Sequence, residues 1–348
     1  MDRVLVTGGN GFIGKALVQE LVRHGVEVAV VGRNHYPQLE ALGVECHKGD
    51  VRDPECMLRV TARCDIVFHV AAKAGIWGER DEYQKINVDG TANVIAACRT
   101  NGVRALVHTS TPSVVFDRRS IEGADETIPY ATATLCHYAA SKIEAEKLVL
   151  QANSSLLRTS AIRPHLVWGP GDNHLIPRLL ERGRTKSLKI VGSGENYVDI
   201  AYIDNVVYAH ILAAKDLLGH GAGAGQSFFI GQDQPVRLWD WINDLFLRMN
   251  VPPVRRKVPF AVAYGVGAAL EVWYTMLGLA QEPRMTRFLA YQLAHSHWFS
   301  HERACRVLGY RQLVSTEEGL VRLIAWLQTG QPEHTGKSEA KETPEKCG

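Results

Sequence analysis

The chain opens with Val4-Leu5-Val6-Thr7-Gly8-Gly9-Asn10-Gly11-Phe12-Ile13-Gly14, an apolar run, a glycine loop and the start of an amphipathic segment. Few folds accommodate that order of elements. Gly8 permits a tight turn out of a strand, Gly11 lets the backbone approach a pyrophosphate, and Gly14 lets a helix pack close to the sheet. The helix start then offers free N–H groups and a positive dipole end to phosphates. Asn10, Phe12 and Ile13 fill the loop between the glycines. The spacing is G-x-x-G-x-x-G, not G-x-G-x-x-G, and it predicts a dinucleotide site.

The rest of the first half repeats the alternation of strand and helix. Helices are expected at Lys15–His24, Thr91–Arg99 and Ala139–Asn153, and strands at Val26–Val31, Asp65–Val70, Ala105–Thr109 and Ser160–Val167. Strands alternating with helices imply an α/β fold with a doubly wound parallel Rossmann sheet. The apolar runs lack polar alternation, as strands buried on both faces should. After Trp168 comes a turn cluster, Gly169-Pro170-Gly171-Asp172. A helix is expected at Leu175–Arg182 and short strands at Lys189–Val191 and Val198–Ile203. Asn205–Lys215 and Ser227–Ile230 read as a return to sheet building. The expected division is a dinucleotide domain at 1–168, with 204–231 returning to it. A smaller, mostly helical C-terminal substrate region covers 169–203 and 232–328. A disordered tail at 329–348 is rich in Glu, Lys, Thr, Pro and Gly.

Bulk properties exclude several classes. A formal net charge of +2 argues against a nucleic-acid partner. None of the 14 His falls at metal-ligand spacing, so no metal site is expected. Seven Cys without a C-x-x-C pair read as reduced thiols of a cytoplasmic protein, with Cys347 exposed in the tail. Met1-Asp2-Arg3 leads straight into the first strand, so no signal peptide is expected. From Phe260 to Ala280 the only charge is Glu271. That stretch approaches membrane-span length, but three glycines and a central carboxylate favour a helix covering a greasy pocket. Peripheral membrane contact and a homodimer both stay open.

Cofactor choice is read at the end of the second strand, where an NAD site places a carboxylate for the ribose 2′-OH. Here the residues are Val31-Gly32-Arg33-Asn34-His35, with no acid before Glu40. Arg33 can pair with a 2′-phosphate, so NADPH is preferred, with NAD as the alternative. Asp50 and Val51 suit the adenine edge, and Ala71 and Ala72 let the backbone meet the cofactor.

Tyr138-Ala139-Ala140-Ser141-Lys142 puts a phenol and an ammonium one helical turn apart on one face. A free Tyr titrates near pH 10, so the pairing is expected to bring Lys142 close enough to favour the phenolate. His108-Thr109-Ser110-Thr111-Pro112-Ser113 supplies hydroxyls at the end of a strand.

These residues resemble the extended short-chain dehydrogenase/reductases, and within them the 3β-hydroxysteroid dehydrogenase branch. The likeness runs from about Asp2 to Leu327 through Thr7–Gly14, Gly49-Asp50, Asn87–Thr91, Ser110-Thr111, Tyr138–Lys142 and Ala161–His165 with Trp168-Gly169-Pro170. It implies Tyr138, Lys142 and Thr111 as the catalytic set, with Pro164 near the nicotinamide. Two activities of that branch compete. One is NAD-dependent dehydrogenation of 3β-hydroxysteroids or sterol-4α-carboxylates, whose acid at the second strand is missing here. The other is NADPH-dependent reduction of the 3-keto group of a long-chain 2-alkyl-3-oxoalkanoate, a lipid-metabolic step of olefin biosynthesis, which Ala71–Gly78 and Pro283–Leu289 resemble and which is favoured. Lys73, Trp77 and Ser113 are then substrate-side candidates, Lys73 as carboxylate partner. The long apolar substrate is expected under Phe260–Ala280 and Arg287–Phe299. A nucleotide-sugar epimerase or dehydratase shares the Tyr–Lys core, but would call for more basic groups and a less greasy C-terminal region.

Overall fold

The computed structural model describes residues 1–329; the tail beyond them, with Cys347, lies outside the described residues. Seven parallel strands form the central sheet: β1 Arg3–Thr7, β2 Glu27–Gly32, β3 Glu45–Lys48, β4 Ile66–His69, β5 Ala105–Thr109, β6 Arg158–Pro164 and β7 Gln226–Ile230. Their order is β7-β6-β5-β4-β1-β2-β3. Register runs straight across the centre, with Thr7 beside Val31 on one side and His69 on the other. The order reverses between β1 and β4, which opens a crevice at the carboxyl ends of these strands.

Both faces of the sheet are covered. Val4, Val6, Val28, Val30 and Phe68 enter one core with Leu17 of the first helix, α1 (Phe12–Arg23). Leu5, Ala29, Val31, Val67 and Leu106 enter the other, with Val94, Cys98 and Val149 from helices α2 (Gly90–Thr100) and α3 (His137–Gln151). Successive residues of a strand point to opposite faces, and here both faces are dry. Each buried aliphatic side chain contributes about 1.5–3 kcal/mol relative to exposure.

Several boundaries differ from the sequence reading. Helix α1 begins at Phe12, not Lys15, because Gly11 is its N-cap and the glycine loop and the helix overlap. The strand expected to reach Val167 ends at Pro164; Leu166 takes a φ of +40°, and a two-residue strand, Val167–Trp168, follows. The strand expected at Val198–Ile203 is two short pieces, Tyr197–Val198 and Ala201–Tyr202. Ile121–Ala124, unassigned from sequence, joins a small sheet with His297–Phe299, Tyr197–Val198 and Val236–Arg237. Strand β7 pairs with β6 in register, Ile230 beside Pro164, after the chain has left the sheet and come back.

Beyond β7 the described chain is largely helical. Helix α4 (Phe260–Met276) packs against α5 (Arg287–Ala294), and no described helix is long and apolar enough to cross a membrane.

Candidate active site

The glycine loop is shaped by close approach. Gly8 has a φ of +70°, and a Cβ there would lie 2.8 Å from the Ala71 Cα. A Cβ on Gly14 would run into the Gly8 carbonyl oxygen. No side chain caps the start of α1, so the N–H groups of its first turn are left for a ligand. Thr7 fixes the neighbouring loop: its Oγ1 accepts from the Ala71 N–H at 3.1 Å and pairs with His69 Nδ1 at 2.8 Å. His69 Nε2 pairs with Thr91 at 2.9 Å. Burial, and then the charge of Lys142, push His69 down to about 3, so it is a neutral strut at physiological pH.

From this loop a cleft of about 630 Å³ runs to the catalytic helix. Gly8, Gly11, Phe12, Ile13, Gly14, Arg33, Asp50, Val51, Ala71, Ala72 and Pro164 all line it, together with Thr111, Tyr138 and Lys142. Asn10 is exposed and is not among the lining residues. A crevice at the topological switch, a cradle that any Cβ would fill and an uncapped helix start fit a dinucleotide.

At its far rim Arg33 is exposed, and the Asp50 carboxylate is taken by Arg52 at 2.7 Å. The hydrogen bond from Arg52 is the main influence holding Asp50 below its usual range. Tyr36 is a rim residue that sequence reasoning missed. Its hydroxyl lies where a Cβ on Gly32 would go, so Gly32 is needed for the tyrosine as well as for the cofactor.

Tyr138 is the second residue of α3, and Lys142 is one turn further along. Burial pushes the phenol up to about 12, against the lowering effect of a hydrogen bond with Thr111. The Lys142 ammonium donates to the Thr109 carbonyl at 2.7 Å and pairs with His108 Nε2 at 3.0 Å. Burial lowers Lys142 to about 8, with Glu146 opposing. Tyr138 is therefore a protonated donor at neutral pH. Thr111 Oγ1 donates to Ser113 Oγ and accepts from the Ser113 N–H, both at 3.2 Å.

Under α3 lies an ion pair that sequence reasoning passed over. Glu146 and Arg163 are both buried and joined, Arg163 Nε to Glu146 Oε2 at 3.0 Å, and the Tyr130 hydroxyl donates to the same carboxylate at 2.8 Å. An arginine after the apolar pair Ala161-Ile162 in a central strand was the available signal. Asn87 was also missed as a brace. It sits on a π-helical turn, Gln84–Asp89, accepts from the Lys73 N–H at 2.7 Å and donates to Ser141 Oγ at 2.9 Å. It thereby ties the loop after β4 to the catalytic helix.

A second cavity of about 1030 Å³ adjoins the cleft, with Lys73 and Glu82 lining both. Lys73 is ion-paired with Glu82, which is largely exposed, and lies 5.2 Å from the Tyr83 ring centre. Trp77 donates to the Leu279 carbonyl at 3.0 Å and meets Tyr274 edge-on. The cavity runs under α4, with Ala268, Tyr274 and Leu279 in its wall.

This fold and this constellation define a nicotinamide-dependent oxidoreductase of the short-chain dehydrogenase type. The profile of the 3-beta hydroxysteroid dehydrogenase/isomerase family matches residues 5–260, and the chain belongs to that family. It is 47% identical to a 2-alkyl-3-oxoalkanoate reductase of Shewanella oneidensis, over 94% of this chain and 87% of that one. Identity is also 47% to a 2-alkyl-3-oxoalkanoate reductase of Stenotrophomonas maltophilia, over 93% and 98%. A decarboxylating sterol-4-alpha-carboxylate 3-dehydrogenase of Mus musculus is 31% identical over 92% and 89%. Among solved structures, gox2253 superposes with a TM-score of 0.78 at 26% identity, covering 94% of this chain and 98% of that one. MoeE5 in complex with UDP-glucose and NAD gives 0.72 at 24% identity, covering 94% and 99%, a likeness of fold.

Proposed function

We propose that the protein reduces the 3-keto group of a long-chain 2-alkyl-3-oxoalkanoate to the 3-hydroxy acid, with NADPH as the preferred cofactor. The observation that carries this reading is a protonated Tyr138, with Thr111 beside it, at the end of a dinucleotide cleft that opens through Lys73 into a second cavity, where Ala268, Val272, Tyr274, Met276 and Leu279 stand opposite charged groups such as Arg80 and Arg118. The two 47%-identical reductases support it.

A nicotinamide held in this cleft would supply hydride to the keto carbon. Tyr138 gives its proton to the oxygen as charge develops there. Thr111 is the second donor to that oxygen once its hydroxyl turns from Ser113. Lys142, charged below about pH 8, would hold the ribose hydroxyls of the cofactor and favours negative charge nearby. Lys73 takes the substrate carboxylate in exchange for Glu82, a swap that costs little because Glu82 is open to water and its pairing is screened. A neutralised carboxylate keeps its electrons, which protects a β-keto acid from losing CO2.

Arg33 on the rim, Arg52 beside Asp50 and the absence of a free acid at the end of β2 support NADPH over NADH. The six free thiols of the described residues suit the cytoplasm, where NADPH is supplied. The product class, a 2-alkyl-3-hydroxy acid, yields an internal olefin on loss of water and CO2, so a reaction of that class is its natural consumer.

The test is a cofactor-oxidation screen, NADPH against NADH, with long-chain 2-alkyl-3-oxo acids, steroids and nucleotide sugars. Fastest turnover is expected with NADPH and the oxo acid. Faster NAD-dependent oxidation of a 3β-hydroxysterol carboxylate would replace this reading with the sterol one.

A further inference from the structure

Helix α4 faces water with the wrong side for a soluble helix. Its buried seam holds Ala263 and Gly267, and its one charge, Glu271, is turned inward, where it accepts from the Arg287 N–H and Nε, each at 2.6 Å. The outward face reads Val262, Val266, Ala269 and Trp273, all exposed, and the next turn adds exposed Leu277, while Val272, Met276 and Leu279 border the second cavity. Trp273 is 56% and Val262 52% exposed, on a face without a single charge. An ordinary surface helix carries its polar residues on that side. A contiguous apolar patch of this kind marks a surface made for contact.

Charge beside the helix says what the contact is. Arg255 and Arg256, both exposed, lie just before α4 and line a small cleft of about 230 Å³ with Arg182 and Lys186. Burial, and then the charge of Arg178, hold Arg182 below its usual range, with Glu282 and Glu181 opposing and Arg284 adding to the fall; Arg178 is itself paired with Glu282. Arg255 and Arg256, which have no partner among the described ion pairs, next to the apolar outward face of α4 match the two layers of a bilayer surface, anionic headgroups over acyl chains.

We propose that α4 and the turn after it seat on an anionic phospholipid surface, with the Arg182–Arg255–Arg256 cleft on the headgroups. The same helix roofs the second cavity. Resting on the substrate assignment above, a long-chain oxo acid dissolved in the bilayer then enters the site from the membrane side without crossing water.

The experiment uses the full chain without substrate. Co-sedimentation is measured with vesicles of pure phosphatidylcholine and of equal parts phosphatidylcholine and phosphatidylglycerol. The protein is expected to pellet with the mixed vesicles and to be released by salt. The double variant Val266→Asp/Trp273→Asp changes outward residues that do not line the cavity. Its bound fraction should fall by roughly five-fold or more, with an unchanged melting temperature. Arg255→Gln/Arg256→Gln should remove the preference for phosphatidylglycerol. Failure of the unaltered protein to bind mixed vesicles overturns the proposal, and so does binding that Val266→Asp/Trp273→Asp leaves intact. A dimer in sedimentation velocity that the same variant dissolves, without vesicle binding, assigns the face to a second copy and also overturns it. Vesicle binding in a protein that does not reduce long-chain oxo acids upholds the docking and removes only the substrate assignment.

Discussion

The two ends of the active-site groove are built on different physical terms. At the cofactor end, shape is made by backbone: the absence of a Cβ at Gly8 and Gly14, the free N–H groups of α1, and strand ends brought together by parallel pairing. At the substrate end, shape is made by side chains on one helix leaning over a loop, held by Trp77 on Leu279 and by Glu271 on Arg287. Backbone devices tolerate few alternatives. A helix face can be rewritten residue by residue, and that is where a family can change what it binds.

That contrast sets what substitutions should do. The largest effect is expected at the join. Tyr138→Phe should lower kcat by about 10²-fold or more while leaving the cofactor Kd unchanged, since the phenol acts on the reacting oxygen and not on binding. Near-full turnover by this variant, read in steady-state kinetics, would show that the proton comes from elsewhere.

The cofactor end should resist simple redesign. Gly32→Asp with Arg33→Ile should shift the NADPH-to-NADH preference by about ten-fold or more, because a carboxylate repels the 2′-phosphate. Tyr36 stands in the way, so the swap should need a smaller residue there to keep affinity. Equal binding of both cofactors by the unaltered protein would mean that Arg33 does not read the phosphate.

Lys142 supplies a pH test. Its folded pKa of about 8 lies below the usual 10.5, so the charge is present below pH 8 and lost above it. Consequently kcat/KM for the cofactor should fall above about pH 8, by up to roughly ten-fold per pH unit. Lys142→Arg, though slower, should flatten that fall because a guanidinium stays charged. Stability moves the other way. Between pH 8 and 10.5 the unfolded chain holds a proton that the folded chain has released, so this group's contribution to stability rises with pH across that window.

The smallest effect per step belongs to the substrate end. Each added methylene should raise kcat/KM by up to about four-fold, the equivalent of ~0.8 kcal/mol, until solubility or cavity length intervenes. A flat series would mean that the cavity under α4 does not hold the alkyl chain.

Much of the cofactor end was legible in advance for the same reason that it is robust. Glycine spacing and the Tyr138–Lys142 turn are local, and locality survives in a linear string. What escaped was contact between distant residues. Nothing near Gly32 shows that Tyr36 folds back over it, and nothing near Lys142 shows that His108 meets its ammonium. The run from Phe260 to Ala280 did announce an apolar helix, yet composition could not say which face looks outward. Only the position of Glu271 against Arg287 decides that. Helix starts shifted for a related cause: at Phe12 the loop and the helix share residues, and a one-dimensional reading assigns each residue once.

The placement of β7 has a consequence for the newly made chain. Strand β6 ends at Pro164, and its neighbour begins only at Gln226. A ribosome adds about 5–20 residues per second, so the outer backbone groups of β6 wait roughly 3–12 seconds for their partner. During that interval an unpaired strand edge is open to any other extended chain, a route to misassembly. Production of this protein at high levels should therefore be limited by the speed with which the intervening sixty or so residues are cleared, and slower growth temperatures that favour chaperone cover should raise the yield of folded enzyme more than any change at the active site.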